Sequence, residues 1–568
     1  MRRIKMEFID KPLGAWMDHM AEVYPDQPAV IFEDEIHGEK ISYRRTYASF
    51  NDECNTIACA FAAMGIKKGD HIAIWATNYP QWLLTLFAAA KLGAVLVTVN
   101  TAYKIHDAQY LLRQSDTKLL VMCDGYKDVS YVDIINKLCP EIQSLKGSER
   151  MTLASRELPV LRGVVTIDHD EHPGMFNWRE LYDIAKDFPV EKLQEIGKTL
   201  SPHDVVNMQY TSGTTGFPKG VMLTHYNILN NGKTIGDCMK FTERDRLCVT
   251  VPLFHCFGLV LATMASITHA TTIVLVNYYS PIKVLKTLQR EKCTAVHGVP
   301  TMFIAMLEHP QFQEIRGDGF SLRTGIMAGS PCPIKTMRQV IEEMNMTEIT
   351  ITYGQTEASP GCTQTTTDDS IEKRVNTVGR AFPGVETKII DPSTGETLGP
   401  GEIGEFCARG YNIMKGYYKM PEATAQAIDK DGWLHTGDLA CCDEDGYYKI
   451  TGRIKDMIIR GGENIYPKEI EDFIYTHPKV SDVQVVGVPS KTYGEEIMAF
   501  VVRKDDSLTE NDIKEFVKNN LAKYKTPSYV KFVDSFPMNA AGKILKYKLR
   551  DMAVDELKLH DAAAIETA

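Results

Sequence analysis

The stretch YTSGTTGFPKGVMLTH, Tyr210 to His225, concentrates three glycines, five serine or threonine hydroxyls and one lysine between two apolar segments. Gly213, Gly216 and Gly220 free the backbone to wrap closely around a ligand. Backbone amides and the hydroxyls of Thr211, Ser212, Thr214 and Thr215 can donate to phosphate oxygens, and Lys219 adds a point positive charge. The spacing is not that of the nucleoside-triphosphate P-loop, which needs Gly-Lys followed by Ser or Thr. Here Pro218 precedes Lys219, Gly220 follows it, and Pro218 biases Phe217 toward extended backbone. On composition alone, an anion-binding loop and a mobile surface turn are equally good readings, because Gly, Thr and Pro are ordinary turn residues.

Four further strings carry groups suited to the same chemistry: YGQTEASP (353–360), DGWLHTGDLA (431–440), TGRIKDMIIRGGENIYPKEIE (451–471) and NAAGKILK (539–546). A carboxylate such as Glu357 facing phosphates makes sense with a cation between them; otherwise it is a solvated turn acid. Asp438 can accept two hydrogen bonds from a vicinal diol, or can serve as a turn or helix-cap residue. With the opening loop, and in this order, the strings resemble the motifs of the adenylate-forming superfamily, which comprises acyl-CoA synthetases, peptide-synthetase adenylation domains and beetle luciferases. The resemblance covers nearly the whole chain and is strongest to the medium-chain fatty acid–CoA ligases, through GFPKGVMLTHYNILNN and VPLFHCFG.

The resemblance implies ATP-dependent activation of a carboxylic acid to an acyl-adenylate, then transfer to coenzyme A with release of AMP. Thr211, Ser212, Gly213, Thr214, Thr215, Gly216 and Lys219 would cradle the β- and γ-phosphates. Thr356 would contact the α-phosphate, Glu357 would help to hold Mg²⁺, Tyr353 would stack on adenine, and Gly329 of the AGSP turn would let adenine approach the backbone. Asp438 would bind the ribose and Arg453 the ribose or phosphate, with an interdomain salt bridge as the alternative for Arg453. Lys543 would neutralise the charge that builds as carboxylate meets α-phosphate; a solvated helix face is the alternative for this lysine-rich segment. In PMNAAGK the family often has a threonine in place of Asn539 or Ala540, a difference of one backbone-supporting hydroxyl. Lys455 stands at the family's hinge, and Gly461 and Gly462 would let the pantetheine arm of CoA pass. His255 orders the carboxylate or packs against Phe254 and Phe257. Phe254, Val299, Met302 and Phe303 are candidates for the wall of the acyl pocket. No aspartate stands where amino-acid recognition would need one, which favours an unsubstituted acid.

The elements that must position these groups alternate. Ser42–Met64 reads as an amphipathic helix, His71–Trp75 as a buried strand, QWLLTLFAAAKLG as a helix ended by Gly93, and VVNMQY as the strand leading into the opening loop. Short apolar strands alternating with helices imply α/β layers, whose ligand sites lie at strand ends. YNILNNGKTIGDCMK reads as a helix weakened by Gly232 and Gly236. Leu259–Val276 is apolar but carries six hydroxyl or imidazole side chains, so it reads as a buried helix and strand rather than a membrane span. The expected fold is an α/β large N-terminal domain of layered sheets and helices (1–452, with a small β subdomain at about 380–452), followed by a small mobile α+β C-terminal domain (453–568) hinged at Lys455. Thr509 with Asp512 marks a helix start in the latter.

A net charge of −11 argues against nucleic acid as a constitutive partner. The 13 cysteines are scattered with no spacing that resembles a zinc site, and the N-terminus lacks an apolar signal core, so a reducing cytoplasm is expected. Expected partners are a small-molecule carboxylic acid, ATP with Mg²⁺, and CoA, with no transmembrane segment; a homodimer, a carrier-protein acceptor and membrane contact through a surface patch stay open. An aryl-acid CoA ligase and a luciferase-like oxidation are the enzyme alternatives, and an inactive nucleotide- or acyl-binding scaffold is the alternative of another class.

Overall fold

The computed structural model of the chain describes residues 7–36, 38–211, 218–317, 319–329, 332–460, 463–490, 492–539 and 544–560. These residues fall into two compact units, one formed by 1–387 with 408–434, the other by 388–407 with 435–568. The division expected after Gly452 rests on a hinge at Lys455, and compactness alone does not locate a hinge.

The first unit is built on two large mixed sheets. One runs in the order Gly416–Tyr417, Lys219–Thr224, Val205–Thr211, Val95–Thr98, His71–Trp75, Thr117–Met122, Gly163–Thr166, Phe176–Asn177. The other runs Glu348–Thr350, Thr324–Ile326, Ala295–Val296, Arg246–Val249, Thr272–Leu275, Pro28–Ile36, Glu39–Thr46. Their central pairs are parallel, as between His71–Trp75 and Val95–Thr98, and an antiparallel hairpin lies toward one end of each sheet. Continuous apolar strands such as HIAIW suit that interior, where both faces are covered.

Two helices are buried on nearly every side: Pro80–Leu92, which ends at Gly93 in the left-handed region (φ 71°), and His225–Met239. The glycines that weaken the second helix on propensity have a packing reason. A Cβ on Gly232 would sit 2.4 Å from Met264 Cβ, and one on Gly236 the same distance from the His269 ring. The segment they approach, Phe257–Met264, is a π-helix continued by a short α-turn to Ile267, with the strand Thr272–Leu275 after it. The helix expected from Ser42 begins instead at Tyr47. Thr46 accepts from the Ser49 amide while Ser49 caps the Thr46 amide in return, and the residues before it pair with Pro28–Ile36 as a strand.

In the second unit, the strands Ile458–Arg460, Val480–Ser490, Gly494–Arg503 and Tyr529–Phe532 belong to one sheet. Its residues alternate between two cores, as period-two strands must. Val483, Val485, Ile497, Ala499 and Val501 face the helices Pro467–Tyr475 and Glu510–Lys518, while Val486, Val488, Met498 and Phe500 face Lys546–Glu556. The cap read at Thr509 is present, with reciprocal bonds of 3.2 and 2.9 Å to Asp512. A four-stranded sheet of Val385–Ile390, Gly404–Gly410, Leu434–Cys442 and Tyr448–Arg453 carries the HTGDL segment. Among the described residues, no helix is long and apolar enough to cross a membrane.

Candidate active site

The opening loop joins two antiparallel strands, whose last described pairs are Tyr210 with Gly220 and Thr211 with Lys219. Ser212, Gly213, Thr214, Thr215 and Gly216 lie outside the described residues. The base of the hairpin is held from outside: Tyr110 donates to the Pro218 carbonyl at 3.1 Å, and the Tyr210 hydroxyl bonds Gln114. On its far edge, Val221 and Met222 pair with Tyr417 and Gly416.

That pairing brings three functional groups together. Lys219 Nζ lies 5.0 Å from the centre of the Tyr417 ring, and the Tyr417 hydroxyl donates to Glu357 Oε1 at 2.8 Å. Burial and the neighbouring Glu357 charge push the Tyr417 phenol far above its usual range, so it stays a donor at any working pH. The Glu357 carbonyl also accepts from the Met414 amide at 2.8 Å. Tyr417 escapes sequence reasoning because its signal, GYYK, is a plain strand pattern and its partner is 60 residues away in the chain.

Thr356 and Glu357 sit on the 3-10 turn Thr356–Ala358, which joins the strands Thr352–Gly354 and Gly361–Gln364. The turn is tight: a Cβ on Gly354 would lie 1.7 Å from the Pro360 carbonyl oxygen. Tyr353, half-buried, is on the strand leading in. Thr356 Oγ1 lies 3.7 Å from Cys256 Sγ, so the PLFHCFG segment abuts the Thr356–Ala358 turn. Burial, with Glu357 adding, pushes the Cys256 thiol up to about 12 and keeps it neutral. His255 Nδ1 accepts from the Phe257 amide at 3.2 Å and lies 3.6 Å from Cys256 Sγ. Accepting at Nδ1 puts the proton of the neutral ring on Nε2, which suits the ordering or packing role.

The π-helix after His255 needs Gly258, because a Cβ there would meet the Pro252 oxygen at 2.3 Å. His297, not singled out as a site residue, ties this helix to the strand ends. Its Nε2 donates to the Leu261 carbonyl at 3.1 Å and its Nδ1 accepts from the Ile326 amide at 3.1 Å. Burial lowers its pKa to about 4. Val299 follows closely, and a Cβ on Gly329 (φ +88°) would approach Val299 Cγ1 to 3.1 Å, so the acyl and adenine candidates meet there. Phe254 and Met302 are buried with small exposed edges, and Met302 Sδ lies 3.9 Å from Thr250 Oγ1. Phe303 is wholly enclosed in the core with Val284, Leu288, Val296 and Met327, where it packs the fold.

In the second unit, Asp438 and Arg453 face each other on paired strands, with Nε 2.9 Å from Oδ1. The Asp438 amide donates to Thr436 Oγ1 at 3.2 Å, and that hydroxyl donates to the Phe406 carbonyl at 2.6 Å, which fixes the TGD stretch of its strand. Lys455 is exposed on the turn Ile454–Asp456. Gly461, Gly462 and Lys543 lie outside the described residues; flanking Lys543, Met538 bridges Ile544 and the Leu545 amide donates to Pro537 at 2.8 Å.

Two family models match the chain: AMP-binding enzyme over residues 17–418 and AMP-binding enzyme C-terminal domain over 469–543. The putative acyl-CoA synthetase YngI of Bacillus subtilis is 50% identical over 554 residues, covering 97% of this chain and 99% of the relative. The mitochondrial medium-chain acyl-CoA ligase ACSF2 of Bos taurus is 38% identical, covering 98% and 90%. Among solved structures, ATP-bound MatB from Rhodopseudomonas palustris matches with a TM-score of 0.79 at 30% identity, covering 96% and 99%. The adenylate-forming fold expected from the motifs is the fold these proteins share, and the chain belongs to the AMP-binding enzyme family.

Proposed function

We propose that this AMP-forming acyl-CoA ligase activates a medium-chain fatty acid, and that the residues named above divide the work as follows. Joining a carboxylate to a polyphosphate brings anions together, so fixed positive charge and hydrogen-bond donors must supply most of the stabilisation. Lys219 and the hydroxyl-rich loop hold the outer phosphates, Thr356 donates toward the α-phosphate, and Asp438, held by Arg453, accepts from the ribose hydroxyls. Tyr353 and Gly329 form the adenine side. Lys543 meets the acid and the α-phosphate; after adenylation the chain turns at Lys455, and CoA enters past Gly461 and Gly462.

The Glu357 carboxylate fits a magnesium ion. Its donors are hard oxygens, one oxygen is oriented by Tyr417, and Mg²⁺ is commonly held by one or two carboxylates plus substrate phosphates. Bound there, the ion would neutralise phosphate charge.

The observation that carries the reading is the cluster of Lys219, Tyr417 and Glu357, with Thr356 joined through Cys256 to His255. The absence of charge among Phe254, Val299 and Met302 favours an alkyl chain, and each methylene contributes only about 0.8 kcal/mol, so preference among lengths is graded. The ACSF2 relatives carry medium-chain in their names. The test is pyrophosphate–ATP exchange and CoA-dependent AMP release across straight-chain and aromatic acids. A maximum at medium straight chains is expected; a maximum at aromatic acids overturns the substrate assignment, and no exchange with any acid overturns the reaction. Lys543→Ala should abolish exchange yet spare thioester formation from supplied acyl-adenylate.

A further inference from the structure

On the sheet that carries the HTGDL segment, beside the ribose candidate Asp438, three side chains of different ligating type converge. Glu405 and Cys407 are two residues apart on the strand Gly404–Gly410 and so share a face, and His435 comes from the neighbouring strand Leu434–Cys442. A Glu405 oxygen, Cys407 Sγ and a His435 ring nitrogen all lie within 4.8 Å of one another. We propose that these three residues form a binding site for a zinc-class divalent ion.

Two of the three ligand–ligand distances are near those of a tetrahedral site, and the third is within 4.8 Å. Zinc bonds of about 2.0–2.1 Å to N or O and about 2.3 Å to S give tetrahedral edges of about 3.3 Å for N···O and about 3.6 Å for N···S. His435 Nδ1 stands 3.0 Å from Glu405 Oε2 and 3.7 Å from Cys407 Sγ. A thiolate, an imidazole and one carboxylate select zinc, cobalt or cadmium over magnesium, which prefers oxygen alone. The other Glu405 oxygen accepts from the Gly437 amide at 2.9 Å, the kind of outer bond that orients a metal-bound carboxylate. Glu405 and Cys407 are buried, while the His435 side chain is 31% exposed.

Binding needs no redox partner. The Cys407 thiol releases its proton to solvent, the His435 ring presents its Nδ1 lone pair with the proton on Nε2, and both lone pairs bind the ion together with the Glu405 carboxylate. Affinity therefore rises with pH as thiol deprotonation becomes easier.

The test is titration of Co²⁺ into the full-length protein in the absence of ATP, which would chelate it. The parent should bind one equivalent with a thiolate-to-cobalt charge-transfer band and intense tetrahedral d–d bands, both removed by one equivalent of Zn²⁺. Cys407→Ala should lose the charge-transfer band, and His435→Asn, which keeps the thiol, should bind at least about ten-fold more weakly. Should Cys407→Ala fail to fold, His435→Asn decides the matter alone. A parent without a thiolate–cobalt band overturns the proposal. So does an unchanged band in Cys407→Ala, which would assign it to another of the 13 cysteines, or unchanged affinity in His435→Asn.

Discussion

Replacing Tyr417 by Phe removes one hydroxyl and leaves the ring beneath Lys219 in place. The lost bond, 2.8 Å long, runs to a carboxylate, a class worth about 1.5–3 kcal/mol. Glu357 is half-buried, so water recovers part of the loss and the lower end applies. About 1.4 kcal/mol corresponds to a ten-fold change in an equilibrium or a rate. If Tyr417 orients Glu357 toward a cation, the loss appears in the magnesium dependence of the first half-reaction. Pyrophosphate–ATP exchange should fall about ten-fold at limiting Mg²⁺ and return toward the parent at saturating Mg²⁺. Tyr417→Leu, which also removes the ring, should further weaken ATP binding through Lys219, where a cation–π contact contributes about 0.5–2 kcal/mol. Parental exchange by Tyr417→Phe at every magnesium concentration would refute the positional role, and a uniform loss at every concentration would reduce it to general support of the fold.

Three further outcomes are expected. His225 and His297 are both held near pKa 4 by burial but take a proton near 6.5 in the unfolded chain. The unfolded state therefore binds more protons in acid, and stability is lost as pH falls from about 6.5 toward 4, by about 1–2 kcal/mol per histidine at pH ~5. Urea unfolding at neutral and mildly acidic pH should show this slope, and His297→Gln should reduce it. Gly258→Ala drives a Cβ into the Pro252 backbone and should cost about 1–3 kcal/mol, read as a lower melting temperature with impaired acyl-adenylate formation; a parental melt would show that the turn yields freely. Lys455→Pro should impair thioester formation more than adenylation in paired half-reaction assays, and equal losses would argue against a hinge at that residue.

What was legible in the sequence was whatever is contiguous. The loop at Thr211–Lys219, the Thr356–Glu357 turn and the HTGDL segment each announce themselves as strings, and alternating strands and helices gave the layered class. What was not legible came from pairing across the chain. Tyr417 reaches Glu357 only because its strand lies against Val221–Met222, and Cys256 reaches Thr356 from 100 residues away. The π-helical winding of Phe257–Met264 was hidden because every residue in it is buried, leaving no polar face from which to read a period. The helix expected from Ser42 starts later because Tyr43 and Ile41 suit either element, while the reciprocal cap at Thr46 and Ser49 decides between them. Gly232 and Gly236 looked like helix weakeners, and only the close approach of Met264 and His269 explains them.

The two-residue strand Gly416–Tyr417 has a bearing on how this protein is made. It caps the open side of the Lys219–Thr224 strand, yet it leaves the ribosome almost two hundred residues later. If the Lys219–Thr224 strand forms during synthesis, its outer edge stays unpaired throughout that interval, the sort of template that recruits stray segments. A product truncated before Gly416 would keep that edge bare for good, so early-terminated chains should aggregate or be captured by chaperones in preference to full-length ones.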